Sequence, residues 1–110
     1  MKIIIAGEGK VGAMLTRQLS AEGYDLTLID ADLKVLESTE ERYDIIGVQG
    51  NCASMKTLEQ AGVKDADLLI AVTDADEVNL ICCMTAHGIN PKIHTIARIR
   101  NPEYTEQIYK

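Results

Sequence analysis

Five short apolar runs alternate with helical patterns along this chain, and no turn signal joins two of the runs as a hairpin. The runs are Ile3-Ile4-Ile5-Ala6, Leu26-Thr27-Leu28-Ile29, Ile45-Ile46-Gly47-Val48, Leu68-Leu69-Ile70-Ala71-Val72, and Ile93 to Ile99. An unbroken apolar run bounded by turn residues suits a strand covered on both faces. Strands that alternate with helices run parallel and are joined by right-handed crossovers. The pattern predicts an α/β fold, a Rossmann-type doubly wound parallel sheet in the order 3-2-1-4-5. At 110 residues the chain has room for one such domain, covering 1–110.

The helices carry their own boundary signals. Val11, Met14, Leu15 and Leu19 form one stripe, and Gly23 ends that helix. Asp32 can N-cap a helix carrying Val35 and Leu36. Ser54 can cap the next, with Met55, Leu58 and Ala61 inward and Gly62 as its stop. Asp74 with Glu77 makes an aspartate capping box, and that helix is expected to end at Gly88, with Pro91 beyond. It is apolar on two faces: Val78, Ile81 and Cys82 on one, Leu80, Cys83 and Met84 on the other. Burial on both sides is expected, the second side being a subunit interface. Asn101-Pro102 opens a last helix with Tyr104 and Ile108 in register.

Composition removes several classes. Acidic residues outnumber basic ones 17 to 11, and the net charge of −6 disfavours a nucleic-acid binder. No apolar run approaches the ~20 residues that span a bilayer, and the apolar N-terminal stretch is short for a signal peptide. Cys52, Cys82 and Cys83 are an odd count without C-x-x-C spacing, which fits buried core thiols better than a disulfide framework or a zinc site. A reducing cytoplasm is the expected compartment. His87 at a helix end and His94 at a strand start have no visible partner for acid–base work.

The candidate chemistry lies at the first strand's end. Gly7-Glu8-Gly9-Lys10-Val11-Gly12 fits G-x-G-x-x-G, and it follows a strand and opens a helix. Gly7 allows the tight turn, Gly9 lets backbone approach a pyrophosphate, and Gly12 lets helix pack on strand. The helix N-terminus offers unpaired N–H groups and a positive dipole end. Lys10 adds a positive charge near the phosphates. Glu8 opposes an anion if it turns inward, so it is expected to face solvent. Asp30, eighteen residues after Gly12 at the second strand's end, can accept the hydroxyls of an adenine-side ribose. A turn or helix-capping aspartate is the other reading of Asp30. With Ala31 and Asp32 following and no arginine beside them, NADP is disfavoured, while NAD and ATP, ADP or AMP stay allowed.

Other candidates sit where open α/β sheets bind ligands, at strand C-terminal ends. Asn51 is placed to meet adenine or ribose, and Thr73 and Asp74 lie beside the switch point; Asp74 is equally readable as an N-cap. Arg98 and Arg100 share a face of a regular fifth strand, where a guanidinium can read phosphate or pair with a carboxylate.

These residues resemble the TrkA N-terminal family, also called the RCK N or KTN domain, over essentially the whole chain. The landmarks are Met1 to Gly7, Lys10-Val11-Gly12, Leu28-Ile29-Asp30, Gly50-Asn51, Asp65 to Asp74, Glu77-Val78-Asn79 and Ile96 to Arg100. The resemblance implies a non-enzymatic, cytoplasmic regulatory subunit that binds NAD(H) or an adenine nucleotide such as ATP or ADP. It implies a homodimer or higher homo-oligomer seated on a membrane-embedded potassium transporter subunit. By the same likeness the nucleotide positions are Gly7 to Val11, Asp30, Asn51, Thr73, Asp74 and Arg98. Family domains usually continue into a sixth strand, so the chain is expected to be a fragment truncated within its last helix. Glu8 stands where a small or neutral residue is expected. The alternative function is the cofactor-binding half of an NAD-dependent oxidoreductase; a methyltransferase is disfavoured because Ala6 occupies the place of the acidic residue that usually precedes its glycine loop.

Overall fold

The structure, a computed structural model, describes residues 1–108, with side chains to residue 105. The elements follow in the order β1 (Lys2–Ala6), α1 (Lys10–Ala21), β2 (Asp25–Asp30), α2 (Leu33–Arg42), β3 (Ile46–Gln49) and α3 (Met55–Gln60). After a single 3-10 turn at Val63–Asp65 come β4 (Leu68–Ala71), α4 (Asp76–Ile89), β5 (His94–Ala97) and α5 (Pro102–Ile108). The sheet is β3-β2-β1-β4-β5 with every neighbouring pair parallel, as the alternation predicts.

The register explains why the runs are apolar throughout. Ile3 and Ile5 of β1 pack with Leu26, Leu28 and Ile70 against Val11, Leu15 and Leu19 of α1 and Leu36 of α2. Ile4 and Ala6 face the other way, with Ile29, Leu69 and Ala71, onto Leu58, Cys82 and Ala86. Both faces of the central strands are therefore dry. Full burial of one isoleucine side chain contributes about 1.5–3 kcal/mol, so the three in β1 anchor both layers.

The strand ends differ from the sequence pattern for reasons that lie far along the chain. β3 starts one residue late because Ile45 N–H bonds the Tyr43 carbonyl at 3.0 Å and is still in the turn. β5 is shorter than Ile93 to Ile99. Arg98 N–H still reaches the Ala71 carbonyl at 2.9 Å, but beyond it Asp76 accepts the N–H groups of Arg100 (3.0 Å) and Asn101 (2.7 Å). The chain is thereby drawn off the sheet toward the start of α4. Arg98 and Arg100 thus follow the strand rather than lie in it.

Asp32 caps α2 by accepting Lys34 N–H, and Asn101 accepts Glu103 N–H at the start of α5. Ser54 holds the cap position of α3 without a side-chain bond. Asp74 is not the cap of α4; Ala75 occupies that position and Asp76 opens the helix. The helix runs through Gly88 to Ile89. Within one chain Cys82, Cys83 and Ala86 of this helix are buried, whereas Ile81 and Met84 are exposed, on the side where a subunit interface is expected. The Ile108 side chain lies outside the described residues. Among the described residues no helix is long and apolar enough to cross a membrane.

Candidate functional site

The loop between β1 and α1 is built by close approach. Gly7 has φ +105°, and a Cβ there would lie 2.9 Å from the Thr73 backbone nitrogen. Only glycine suits both the left-handed backbone and that contact. Gly12 lies under the same turn, where a Cβ would meet the Gly7 carbonyl oxygen. Gly9 is different. It precedes α1, and the nearest atom to a Cβ would be an Asp74 carboxylate oxygen 3.9 Å away.

Gly9 faces a cavity of about 310 Å³ at the C-terminal ends of β1, β2 and β4 and the start of the loop after β3. That is the crevice where β1 parts β2 from β4, the switch point of a doubly wound sheet. Its volume is at the lower bound of ligand clefts. Gly7, Glu8, Gly9, Asp30, Asn51, Thr73 and Asp74 all line it, so seven of the expected positions meet at one place. Lys10, Val11, Gly12 and Arg98 do not line it. Ile29, Ala31, Gly50, Cys52 and Val78 complete the lining; the sequence reading did not single them out for a site. Cys52 directly follows Asn51, and Val78 lies at the start of α4 within the landmark Glu77-Val78-Asn79.

The polar groups are arranged around the loop. Asp30 Oδ2 accepts Glu8 N–H at 2.9 Å and Oδ1 accepts Asp32 N–H at 2.8 Å. Its turn-forming role is thus real, and each carboxylate oxygen can still accept a second bond. Asn51 Oδ1 accepts Ala53 N–H at 2.9 Å, which leaves the amide nitrogen as the group to offer a ligand. The Thr73 backbone N–H and hydroxyl both bond Asn79 Oδ1, at 2.9 and 2.7 Å. Asn79 Nδ2 donates to the carbonyls of Thr73 (3.1 Å) and Arg98 (2.9 Å). Fully buried Asn79 therefore clasps the ends of β4 and β5 together, a role that the sequence reading missed. A polar residue on an otherwise apolar helix face was its signal.

Glu8 corrects the expectation of a solvent-facing side chain. It is half-buried between α1 and α2, accepting the hydroxyls of Thr16 (3.4 Å) and Thr39 (3.3 Å). Burial pushes its carboxyl above the ordinary value of 4.5; the Asp30 charge acts the same way, and the two threonines and Arg42 oppose it. The inward turn is stabilised by those hydroxyls, which the local sequence does not announce.

Outside the cavity lining, Asp76 at the start of α4 is held below the ordinary carboxylate value of 3.8 by the N–H groups of Arg100 and Asn101, with the charges of Arg100 and Arg98 adding to them. The Arg100 guanidinium also donates to the Asp74 carbonyl. His94, at the N-terminal start of β5, sits at the opposite end of the sheet, and His87 is exposed on the last turn of α4. Among the described residues no group of three or more His, Cys, Asp or Glu is placed to hold a metal. The arrangement is suited to recognition: backbone N–H groups at a helix start for an anion, and a carboxylate at a strand end for hydroxyls.

Comparison with known proteins gives a family and a fold. The family model described as TrkA-N domain matches residues 3–110. The Trk system potassium uptake protein TrkA of Haemophilus influenzae is 43% identical over 97% of this chain, which spans 23% of that protein's length. Among solved structures, the Kef CTD of Shewanella denitrificans in an AMP-bound form superposes with a TM-score of 0.86 at 31% identity, covering 99% of this chain and 65% of that one. The TrkA-N domain of the inner membrane protein ybaL from Escherichia coli gives 0.86 at 27% identity, covering 98% and 79%.

Proposed function

The chain belongs to the TrkA-N domain family, and from that premise we propose that residues 1–110 are the nucleotide-sensing unit of a longer regulatory protein of potassium uptake. The observation that carries the reading is the cavity where Gly9, Asp30, Asn51 and Thr73 meet. The N–H groups at the start of α1 receive the phosphates, Asp30 receives ribose hydroxyls, and Ile29 and Val78 give adenine an apolar wall. The AMP-bound form of the Kef relative supports an adenine nucleotide. NAD(H), ATP and ADP share its adenosine and a phosphate at the ribose end. Lys10 and Arg98, outside the wall, reach the distal phosphates of the longer ligands.

The name of the Haemophilus relative, a potassium uptake protein of a Trk system, supports a role in potassium uptake; we infer from it a membrane-embedded potassium transporter subunit as partner and a place for this domain on the cytoplasmic side of the membrane. Ile81 and Met84 on α4, 49% and 73% exposed, make the surface for a homodimer or larger assembly. Among the described residues no His, Lys or Tyr lines the cavity, and nothing observed favours the oxidoreductase alternative.

The test is calorimetric titration of AMP, ADP, ATP, NAD and NADH into wild type and Gly9→Val. The wild type should bind at least one of them, and the folded variant should lose that binding because its side chain fills the phosphate approach. Equal affinity in a folded Gly9→Val protein refutes the site.

A further inference from the structure

A second cavity, of about 350 Å³, opens between α1 and the end of α2. On α1 its wall is the stripe Lys10, Ala13, Met14 and Arg17. That i, i+3, i+4, i+7 spacing puts the four side chains on one face of the helix, with the two cations about 10 Å apart along the axis. Met14 is 46% exposed, so the stripe stands apart from the core-facing side that Val11, Leu15 and Leu19 form. From the α2 side come Arg42, in the last turn of that helix, and Tyr43 directly after it. The Arg42 guanidinium carbon lies 5.7 Å from the centre of the Tyr43 ring, within cation–π range.

The charge at this cavity runs against that of the chain. Acidic residues outnumber basic ones 17 to 11, yet three cations line the cavity, and among the described residues Glu8 is its one carboxylate. The Glu8 oxygens accept the hydroxyls of Thr16 and Thr39, which turn that carboxylate toward the two helices. Between the cations of α1 the floor is Ala13 and Met14, a small apolar patch. Glu8 belongs to both cavities, but Asp30 and Asn51 line the first alone, and Arg17 and Arg42 the second alone.

We propose that this second cavity binds a small organic dianion, two carboxylates joined by a short carbon chain, at a site separate from the nucleotide crevice. Lys10 and Arg17, two turns apart, take one carboxylate each. Arg42 adds a guanidinium from the opposite wall, and guanidinium forks match carboxylates. The carbon chain lies on Ala13 and Met14. An inorganic anion makes no use of that apolar floor, and a monocarboxylate reaches one end of the stripe only. The volume is at the lower end of small-molecule clefts, which suits a ligand of this size.

Succinate, glutarate and adipate are titrated into the 110-residue protein at low salt, where exposed charges are least screened. Acetate and inorganic phosphate are the controls, and backbone amide NMR shifts are the readout. At least one dicarboxylate should saturate, moving the amides of 10–17 and 42–43, and should bind about tenfold tighter than acetate. Arg17→Gln and Arg42→Gln, both at exposed positions, should each weaken it about tenfold, the loss of one charge-assisted contact. Arg17→Lys should fall in between. AMP, which has no distal phosphate for Lys10, should bind alongside the dicarboxylate with its own set of shifts; that arm rests on the nucleotide reading above. No saturable shift with any of the three, equal affinity for acetate or phosphate, or unchanged affinity in both folded variants overturns the proposal. A dicarboxylate that AMP displaces overturns the separateness of the site. If AMP itself fails to bind, the nucleotide reading falls, while the dicarboxylate titrations still decide this one.

Discussion

Gly12→Ala sets two known effects against each other inside one motif. Gly12 is the third residue of α1, where alanine gains about 1 kcal/mol in helix propensity over glycine. Against that, the new Cβ would lie 1.9 Å from the Gly7 carbonyl oxygen and 2.9 Å from its carbon. Those are backbone atoms of a turn fixed by the Gly7 N–H bond to the Ile29 carbonyl, 2.9 Å long. Relief therefore requires α1 to retreat by about 1 Å, opening its packing on Ile5 and Val72. Overpacking of this kind typically costs about 1–3 kcal/mol, and more where the neighbour is rigid. The clash wins, and a net loss of about 2 kcal/mol is expected. With a urea slope of about 1–3 kcal/mol/M for a small domain, the unfolding midpoint falls by roughly 1 M. Gly9→Ala is the control: with its nearest neighbour 3.9 Å away it should unfold within about 0.5 kcal/mol of wild type. A Gly12→Ala protein as stable as wild type, or more so, refutes the close packing of α1 on the loop.

Asn79→Ala leaves the Thr73 N–H and the Arg98 carbonyl buried without partners, at about 1–3 kcal/mol each; urea unfolding should show a loss of several kcal/mol, and a loss below 1 kcal/mol (about the worth of one ordinary hydrogen bond) contradicts the clasp. Glu8 has a raised folded-state value, so the fold holds its proton more tightly than the unfolded chain does; that contribution is complete below pH 4.5 and is lost as pH rises through the raised value. Glu8→Gln should therefore gain stability relative to wild type between acid and neutral pH, modestly because the side chain is half in water, and an unchanged difference across that range argues against its burial. NADP should bind more weakly than NAD, because a 2′-phosphate about 4 Å from Asp30 meets a repulsion of about 4 kcal/mol per unit charge at an effective dielectric near 20. Solvent reduces that figure, yet a tenfold loss needs only about 1.4 kcal/mol. Equal affinities in competitive titration remove Asp30 from the ribose, and Asp30→Ala should narrow the gap.

What the sequence discloses here is what local pattern controls. Unbroken apolar runs separated by capped helices fix a parallel sheet, and the Asp32 and Asn101 caps fall where their spacing puts them. What it hides depends on partners far along the chain. The end of β5 is set by Asp76 and Asn79, more than a dozen residues earlier, and no strand propensity near Ile99 reveals them. Glu8 turns inward because Thr39 waits 31 positions on. Cys52, Cys82 and Cys83 join one buried cluster only when α3 and α4 pack on the same face.

The glycine motif itself divides along that line. Because β1 pairs with β4, bringing Ala6 opposite Ala71, the residue after β1 runs against Thr73. Gly7 is required by that crossing whether or not a ligand ever binds. Gly12 is required by the descent of α1 onto the same turn, again without any ligand. A chain selected only to fold this way would keep both. Gly9 has no such neighbour, its φ of −56° is open to any residue, and a side chain there would project toward the cavity. Of the three glycines it is the one whose lack of a side chain packing does not explain, so the case for a bound phosphate in this motif rests on Gly9.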